Sequence, residues 1–323
     1  MSNPFLQVSG DAKRALEEFS LAFRGALSAA DAEVWSKTYG FAYESTAIKT
    51  TYPLPVSTAG YKLHTGDPTM RRLFARSLSM QTREWTDGVE EKLSKIQAPD
   101  FIGWGEEPAN IAREGARLPN VICAQMLEAN PKLSFYKDEE LGTDASISLF
   151  ADAHPVNVFD ASYGTFDNDH TYAAINATFM QQTRARFRAK KAPNGRPAGR
   201  RFTHLLVPAA LEDAAYEFLK SDLMYLATLA QGTNTHQLTN NLYKDAVSLI
   251  VSDELTADDY IYPLDINGPK PWIVQTSGAP EELVFDQSSD YYKQSLKVGV
   301  KYILRADVKA ALPHAIERVK ITG

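Results

Sequence analysis

Cysteine is nearly absent from this chain of 323 residues: Cys123 is the only one. A single thiol excludes an intrachain disulfide and any cysteine-rich metal site, and it fits a reducing compartment. With Ile122 and Ala124 beside it, Cys123 reads as a small buried hydrophobe. Long apolar runs are missing as well. None approaches the ~20 residues that span a bilayer, and the opening MSNPFLQVSGDAKR lacks the order of a secretory leader. A soluble protein without a membrane partner is expected. Basic excess is also lacking, since the formal net charge is -6, which argues against a surface that grips nucleic acid everywhere. The phosphate-binding loops are missing too: GWG at 103–105 has no third glycine, and APNGRPAGRR lacks the Lys-Ser/Thr ending of a P-loop. With no Gly-x-Ser-x-Gly elbow either, no catalytic residue and no cofactor is expected, and the chain does not read as an enzyme.

Helical spacing is plain in several places. Leu16, Phe19, Phe23 and Leu27 give residues 11–30 one apolar stripe, but the following 33–65 is irregular or extended and offers it no neighbour. In GEEPANIAREGARLPNVICAQMLEAN, Glu106, Glu107 and Pro108 suit a helix start, and Ile111, Gly115, Leu118, Ile122 and Met126 keep one phase. That predicts a helix over 107–129, kinked rather than ended by Pro119 and closed by Asn130-Pro131. A second helix is expected over 171–190, with Tyr172, Ile175, Phe179 and Phe187 on one side. A third is expected to start at Pro208, after the strand THLLV. Residues 66–104 have low apolar content, and Thr86-Asp87-Gly88 reads as a hairpin turn or part of a long extended loop. From 243 onward the pattern is β: DAVSLIV, DYIYPL, WIVQT, ELVF, LKVGVKYILR and AIERVKI. The fold class is α+β.

Chemistry-bearing clusters are few. FADAHPVNVFDASYGTFDNDH holds Asp152, His154, Asp160, Asp167, Asp169 and His170, ligand types suited to a metal, at a spacing that matches no known signature; polar turns account for them better. Trp35, Trp85, Trp104 and Trp272 read as unclustered, with Trp85 a candidate interface anchor. Charge is more telling. Residues 182–201 carry Arg184, Arg186, Arg188, Lys190, Lys191, Arg196, Arg200 and Arg201 without one acid. Residues 212–265 then carry Glu212, Asp213, Glu217, Asp222, Asp245, Asp253, Glu254, Asp258, Asp259 and Asp265 against Lys220 and Lys244. Either both are solvated surfaces, or copies meet basic face to acidic face.

Four stretches, in order, carry a family resemblance: PTMRRLF with VEEKLSKIQAPDFIGWG, SLFADAHPV with His154 and Pro155, RFTHLLVPAALEDAAYEFLKS, and VGVKYILRADV. Together they resemble the major capsid proteins of tailed phages, with the Hong Kong 97-type fold, and within them the Mu-like major head subunit family. Val298 and Lys301 depart from that family's Tyr and Arg. The resemblance implies an N-terminal arm over 1–65 and an extended loop over 66–104 that reaches over a neighbouring subunit. It implies a peripheral domain over 105–165 and 290–323 with a spine helix at 107–129, and an axial domain over 166–289. It further implies hexamers and pentamers of the chain in an icosahedral virion shell around double-stranded DNA, held by non-specific contact. Portal, scaffold or protease and decoration proteins are the implied partners, and the host cytoplasm the place of assembly. An encapsulin-like compartment shell, a metal-dependent enzyme centred on His154 and a nucleic-acid-binding module over 184–201 are the alternatives.

Overall fold

The computed structural model describes residues 4–30, 34–55, 75–98, 104–133, 137–138, 143–144, 147–157, 161–230 and 233–323. In chain order the elements are α1 (Pro4–Ala30), α2 (Trp35–Tyr39), β1 (Phe41–Glu44), β2 (Lys49–Pro55), β3 (Ala75–Gln81), β4 (Arg83–Lys92), α3 (Leu93–Ile96) and α4 (Glu107–Ala129). Then follow β5 (Lys137–Asp138), β6 (Thr143–Asp144), β7 (His154–Pro155), β8 (Thr165–Phe166), β9 (Asp169–Tyr172), α5 (Ala177–Ala189), β10 (His204–Pro208) and α6 (Glu212–Lys220). The chain ends with β11 (Leu223–Ala230), β12 (Thr233–Asn240), β13 (Ser248–Ser252), β14 (Tyr260–Leu264), β15 (Trp272–Thr276), β16 (Glu281–Phe285), α7 (Asp290–Ser295), β17 (Lys297–Ala310) and β18 (Arg318–Ile321).

Two five-stranded sheets carry the fold. The first is ordered β1-β15-β17-β16, with β4 also on β17. Because β4 and β16 both pair with residues 299–303, they flank β17 on opposite sides. The second sheet is ordered β13-β10-β14-β18-β9. Four of its strands run one way and β14 runs against them.

Helix α4 joins the two sheets. Its stripe is as expected: Ile111, Ile122 and Met126 are buried, Gly115 and Leu118 partly so. Pro119 does not end the helix, and Gly115, one turn earlier, leaves room for Leu304, whose Cδ1 would lie 2.9 Å from a Cβ there. Asn130, at φ 46°, closes the helix in the left-handed region where asparagine is well tolerated. Its side chain also accepts from Phe150 N at 2.7 Å and donates to Phe150 O at 3.0 Å. Ile122, Cys123, Ala124, Met126 and Leu127 enter the main core, where they meet Leu206, Tyr262 and Leu264 of the second sheet and Trp272, Val274 and Val308 of the first. On β10 the side chains alternate: Leu206 faces this core while Leu205 and Val207 face another, beneath α5 and α6, with Phe179, Phe187, Ala215 and Leu219.

Several expectations change. Residues 83–92 are not a free loop: they form ten consecutive antiparallel pairs with β17, and Thr86-Asp87-Gly88 lies mid-strand rather than in a turn. Gly88 is there for close approach, since a Cβ on it would meet Val300 O at 2.3 Å; Gly299 opposite would meet Val89 O at 2.3 Å. Residues 75–81 pair instead with 49–55, and 66–74 lie outside the described residues. The α1 stripe, which the adjacent sequence leaves without a neighbour, finds its partner elsewhere on its own chain. Phe19 and Phe23 stack on Tyr302 beside Ile111, Ala112 and Val300, and Arg24 reaches Glu282 at 2.8 Å. Residues 33–65 hold two unforeseen anchors, α2 and β1, the latter parallel to β15. Two of the four tryptophans do meet, Trp35 and Trp272 edge to face at 5.8 Å, while Trp104 lies in another core against Phe19 at 5.4 Å. Sheet membership also cuts across the expected boundaries, because β15 and β16 lie in the first sheet with β17 while β18 lies in the second with β9 and β10.

Candidate interaction surface

The eight cations of 182–201 are divided by the fold. Asn176 caps α5 by accepting from Phe179 N at 3.0 Å, and the helix buries Phe179, Met180, Thr183 and Phe187 against the second sheet. That phase turns Arg186 and Lys190 inward, toward Glu317, whose side chain is fully buried just before β18. Arg186 donates to Glu317 from Nε and Nη2 at 3.0 and 2.8 Å, and Lys190 Nζ lies 3.0 Å from its other oxygen. Burial alone would raise the Glu317 carboxyl, but Lys190 and Arg186 outweigh it and hold it below the usual carboxylate range. Burial lowers the Lys190 ammonium, partly offset by Glu317. Arg200 is likewise buried, beside Asp265 at 3.5 Å and donating to Pro269 O at 3.0 Å.

The other members face outward. Arg188, Lys191, Arg196 and Arg201 are exposed, and Arg184 lies half-buried over the Tyr243 ring at 5.2 Å. So three of the eight, Arg186, Lys190 and Arg200, hold buried carboxylates, and the sequence-level picture of one uniformly basic face is corrected. The signal for this sorting was present: buried partners at 265 and 317 are visible only as acids at strand boundaries. Trp85 is also used internally, with Nε1 donating to Ala306 O at 3.3 Å and Arg83 over its ring at 5.7 Å.

The histidine-aspartate stretch does not converge on a common centre. His154 is buried against Phe166, its Nε2 is 3.0 Å from Leu149 O, and burial lowers it to about 4, so it is neutral. Asp167 meets His170 at 2.7 Å, and Asp169 meets Arg318 at 2.5 Å. Asp152 is exposed, and Asp160 lies outside the described residues. Among the described residues no group of three His, Cys, Asp or Glu is placed to hold a metal ion. Nor is any described helix long and apolar enough to cross a membrane.

The acidic block is sorted in the same way. Asp222 pairs with Lys244 and Asp245 with Lys220, each at 2.5 Å; Asp259 pairs with Lys320 at 3.2 Å, and Asp265 is buried with Arg200. Glu212, Asp213, Glu217, Asp253 and Asp258 remain exposed. Burial raises the half-buried Glu254 carboxyl above its ordinary value.

No protein-family model and no curated protein matches the sequence. Solved structures do. The capsid of a native GTA particle is similar over 89% of this chain and 89% of its own, at 10% identity and a TM-score of 0.54. The capsid of bacteriophage JBD30 decorated with minor capsid protein trimers is similar over 69% of this chain and 91% of its own, at 14% identity and a TM-score of 0.50. Mycobacterium phage Patience gives 95% and 87%, at 12% identity and a TM-score of 0.50. With its two mixed sheets and the long helix between them, the chain has the α+β Hong Kong 97-type fold of phage capsid subunits.

Proposed function

We propose that this chain is a major capsid protein, a structural subunit without catalytic activity, whose copies form hexamers and pentamers and enclose double-stranded DNA in the head of a tailed phage. The observation that carries this reading is similarity to capsid structures, of a GTA particle over 89% of the chain and of a phage over 95%. A second feature supports it. The ribbon β11–β12 has no further strand partner among the described residues, whereas β2–β3 already packs on the main core through Tyr52, Leu78 and Met80. An isolated two-stranded ribbon is marginal in water, so copies of the chain are the natural source of the missing contacts.

On this reading the second sheet with α5, α6 and β11–β12 is the axial domain. The first sheet, α1 and the spine helix α4 form the peripheral domain, and the ribbon β2–β3 takes the place of the extended loop. The boundaries then move from 66–104 to about 49–81 for that loop, and β15–β16 pass to the peripheral domain. Portal and scaffold or protease proteins are the expected partners, and a decoration protein such as the trimers on the JBD30 capsid fits the same assembly. Assembly in the host cytoplasm follows from the same reading. Contact with packaged DNA is non-specific, because a strongly basic lining would hold phosphates too tightly for release.

Negative-stain electron microscopy and sedimentation of the purified protein, with and without nuclease, test the reading. Closed shells or capsomers are expected. A monomer at every concentration, also when co-expressed with a cognate scaffold, overturns it. Shells filled with a protein cargo and no nucleic acid would move the function to an encapsulin-like compartment.

A further inference from the structure

The direction of the strands separates the two charge blocks. β10 and β13 are parallel, β14 is antiparallel to β10, and β18 and β9 again run with β10. The start of β10, the end of β14 and the start of β18 therefore share one end of the second sheet. Helix α5 leaves β9 at the far end and returns to this near end, delivering Arg188 and Lys191 there; Arg196 and Arg201 follow on the segment that leads into β10. The far end collects the close of β10, the close of β13 and the approach to β14. It carries Glu212 and Asp213 in the first turn of α6, and Asp253, Glu254, Asp258 and Asp259 between β13 and β14. Glu128 at the end of α4 is tied to the same end by Ala257 N at 2.9 Å and Thr256 Oγ1 at 2.8 Å. Five-residue strands put the two ends about 16 Å apart.

Internal pairing leaves a basic majority outside at the near end, where Glu217 of α6 and Asp167, paired with His170, are exposed acids, and acids outside at the far end. At the near end Glu317 and Asp265 are buried with Arg186, Lys190 and Arg200, Asp222 and Asp245 are paired with Lys244 and Lys220, and Arg188, Lys191, Arg196 and Arg201 make no side-chain ion pair among the described residues. At the far end Lys320 is paired with Asp259, Arg117 lies near Glu254, and Glu212, Asp213, Asp253 and Asp258 are exposed without an ion pair among the described residues.

We infer that a second copy of this chain docks its acidic far end, Glu212, Asp213, Asp253 and Asp258, on the basic near end, Arg188, Lys191, Arg196 and Arg201, of its neighbour. Unlike ends on one body make a heterologous contact, and such contacts close into rings when the rotation between copies allows. Complementary charge fixes which end meets which and speeds the encounter, while like ends repel. The inference rests on the shell-forming reading above and adds the surfaces by which neighbours in one capsomer recognise each other.

Two charge-reversed variants test it. One carries Arg188→Glu, Lys191→Glu, Arg196→Glu and Arg201→Glu; the other carries Glu212→Lys, Asp213→Lys, Asp253→Lys and Asp258→Lys. All eight positions are exposed, and circular dichroism checks that each variant is folded. Each alone should lose capsomer assembly by about tenfold or more, because its two ends now carry the same sign. Mixed one to one, they should co-assemble into alternating even-numbered rings, which no loss of folding could produce. Assembly of either variant at the level of the unaltered chain overturns the inference, as does a mixture that recovers nothing. A basic-end variant that assembles fully but retains less DNA assigns those arginines to the genome instead, and also overturns it. The unaltered chain gives a second measurement: its assembly should weaken steeply as salt rises from about 0.05 to 0.5 M, where screening shortens from over 10 Å to a few ångströms. Shells that are indifferent to salt sink this inference alone, whereas the absence of any shell sinks the capsid reading with it.

Discussion

Residues 75–81 and 83–92 are neighbours, separated only by Thr82, and both are polar enough to look like parts of one loop. Their fates differ. The first, β3, pairs with β2 alone among the described residues and is held otherwise by its side chains, Leu78 and Met80, in the main core. The second, β4, is held along its whole length by β17, with Arg305 of that strand reaching Glu84 at 2.9 Å and Glu281 of β16 at 3.2 Å. The difference lies in the partner, not in the stretch itself. β17 supplies a row of cross-strand neighbours, approached closely at its own Gly299 and at Gly88 of β4, and it lies more than two hundred residues away in sequence. Polarity of a segment thus says little about whether it is held when the strand that holds it is remote.

The largest disturbance of this contrast is expected from Gly299→Ala. The new methyl would meet Val89 O at 2.3 Å and Glu90 Cα at 3.0 Å, backbone atoms that cannot step aside, so the β4–β17 ladder must part. A loss on the order of 4 kcal/mol or more is expected in denaturant unfolding of the monomer. Unchanged stability would show that β4 is not held as described.

Glu317→Ala moves the test to the second sheet. It strands the buried Lys190 and half-buried Arg186 without their carboxylate, and a cost of about 3–5 kcal/mol is expected. Hydrogen exchange should then show faster exchange in β18 and α5 while β4 keeps its protection. Parallel loosening of both sheets would mean that they unfold as one unit.

Acid should act in the same place more gently. Burial holds His154 at about 4 and His314 at about 3, against an ordinary 6.5. As pH falls below 6.5 the unfolded chain takes up protons first, so stability is full above about 6.5 and declines toward 4. His154→Gln should flatten that decline in a series of melts between pH 7 and 4; an equally steep slope would assign it to other groups.

Thr51→Ala, on an exposed face of the β2–β3 ribbon, should be the smallest effect, within about 0.5 kcal/mol in the monomer. A larger loss would mean that the face carrying Thr51 is packed as well as the face that carries Leu78 and Met80 into the core.

The legible parts of this molecule are those whose cause is local. The longest central helix is expected over 107–129 and is found at Glu107–Ala129, because its stripe, its acidic first turn and Asn130 are all read within one segment. Each late β pattern, from SLIV to VKI, is a strand in the fold. The candidate surface was half legible: the two charge blocks stand in the sequence, but which cations stay outside depends on Glu317 and Asp265, residues from other strands. The turn glycine at 88 was misread for the same reason, since its constraint comes from Val300.

By itself, then, the sequence determined the long helices, the late strand segments, the class α+β and the order of motifs that resembles capsid subunits, all set by side-chain period, caps and composition over a few turns. Tertiary structure alone decided that α1 seats on Tyr302, that β4 joins a sheet, that three cations turn inward, and that the remaining charges stand at opposite ends of one sheet. Those outcomes rest on pairings between segments distant in the chain, where each backbone donor and each buried charge must find a partner that no local window contains.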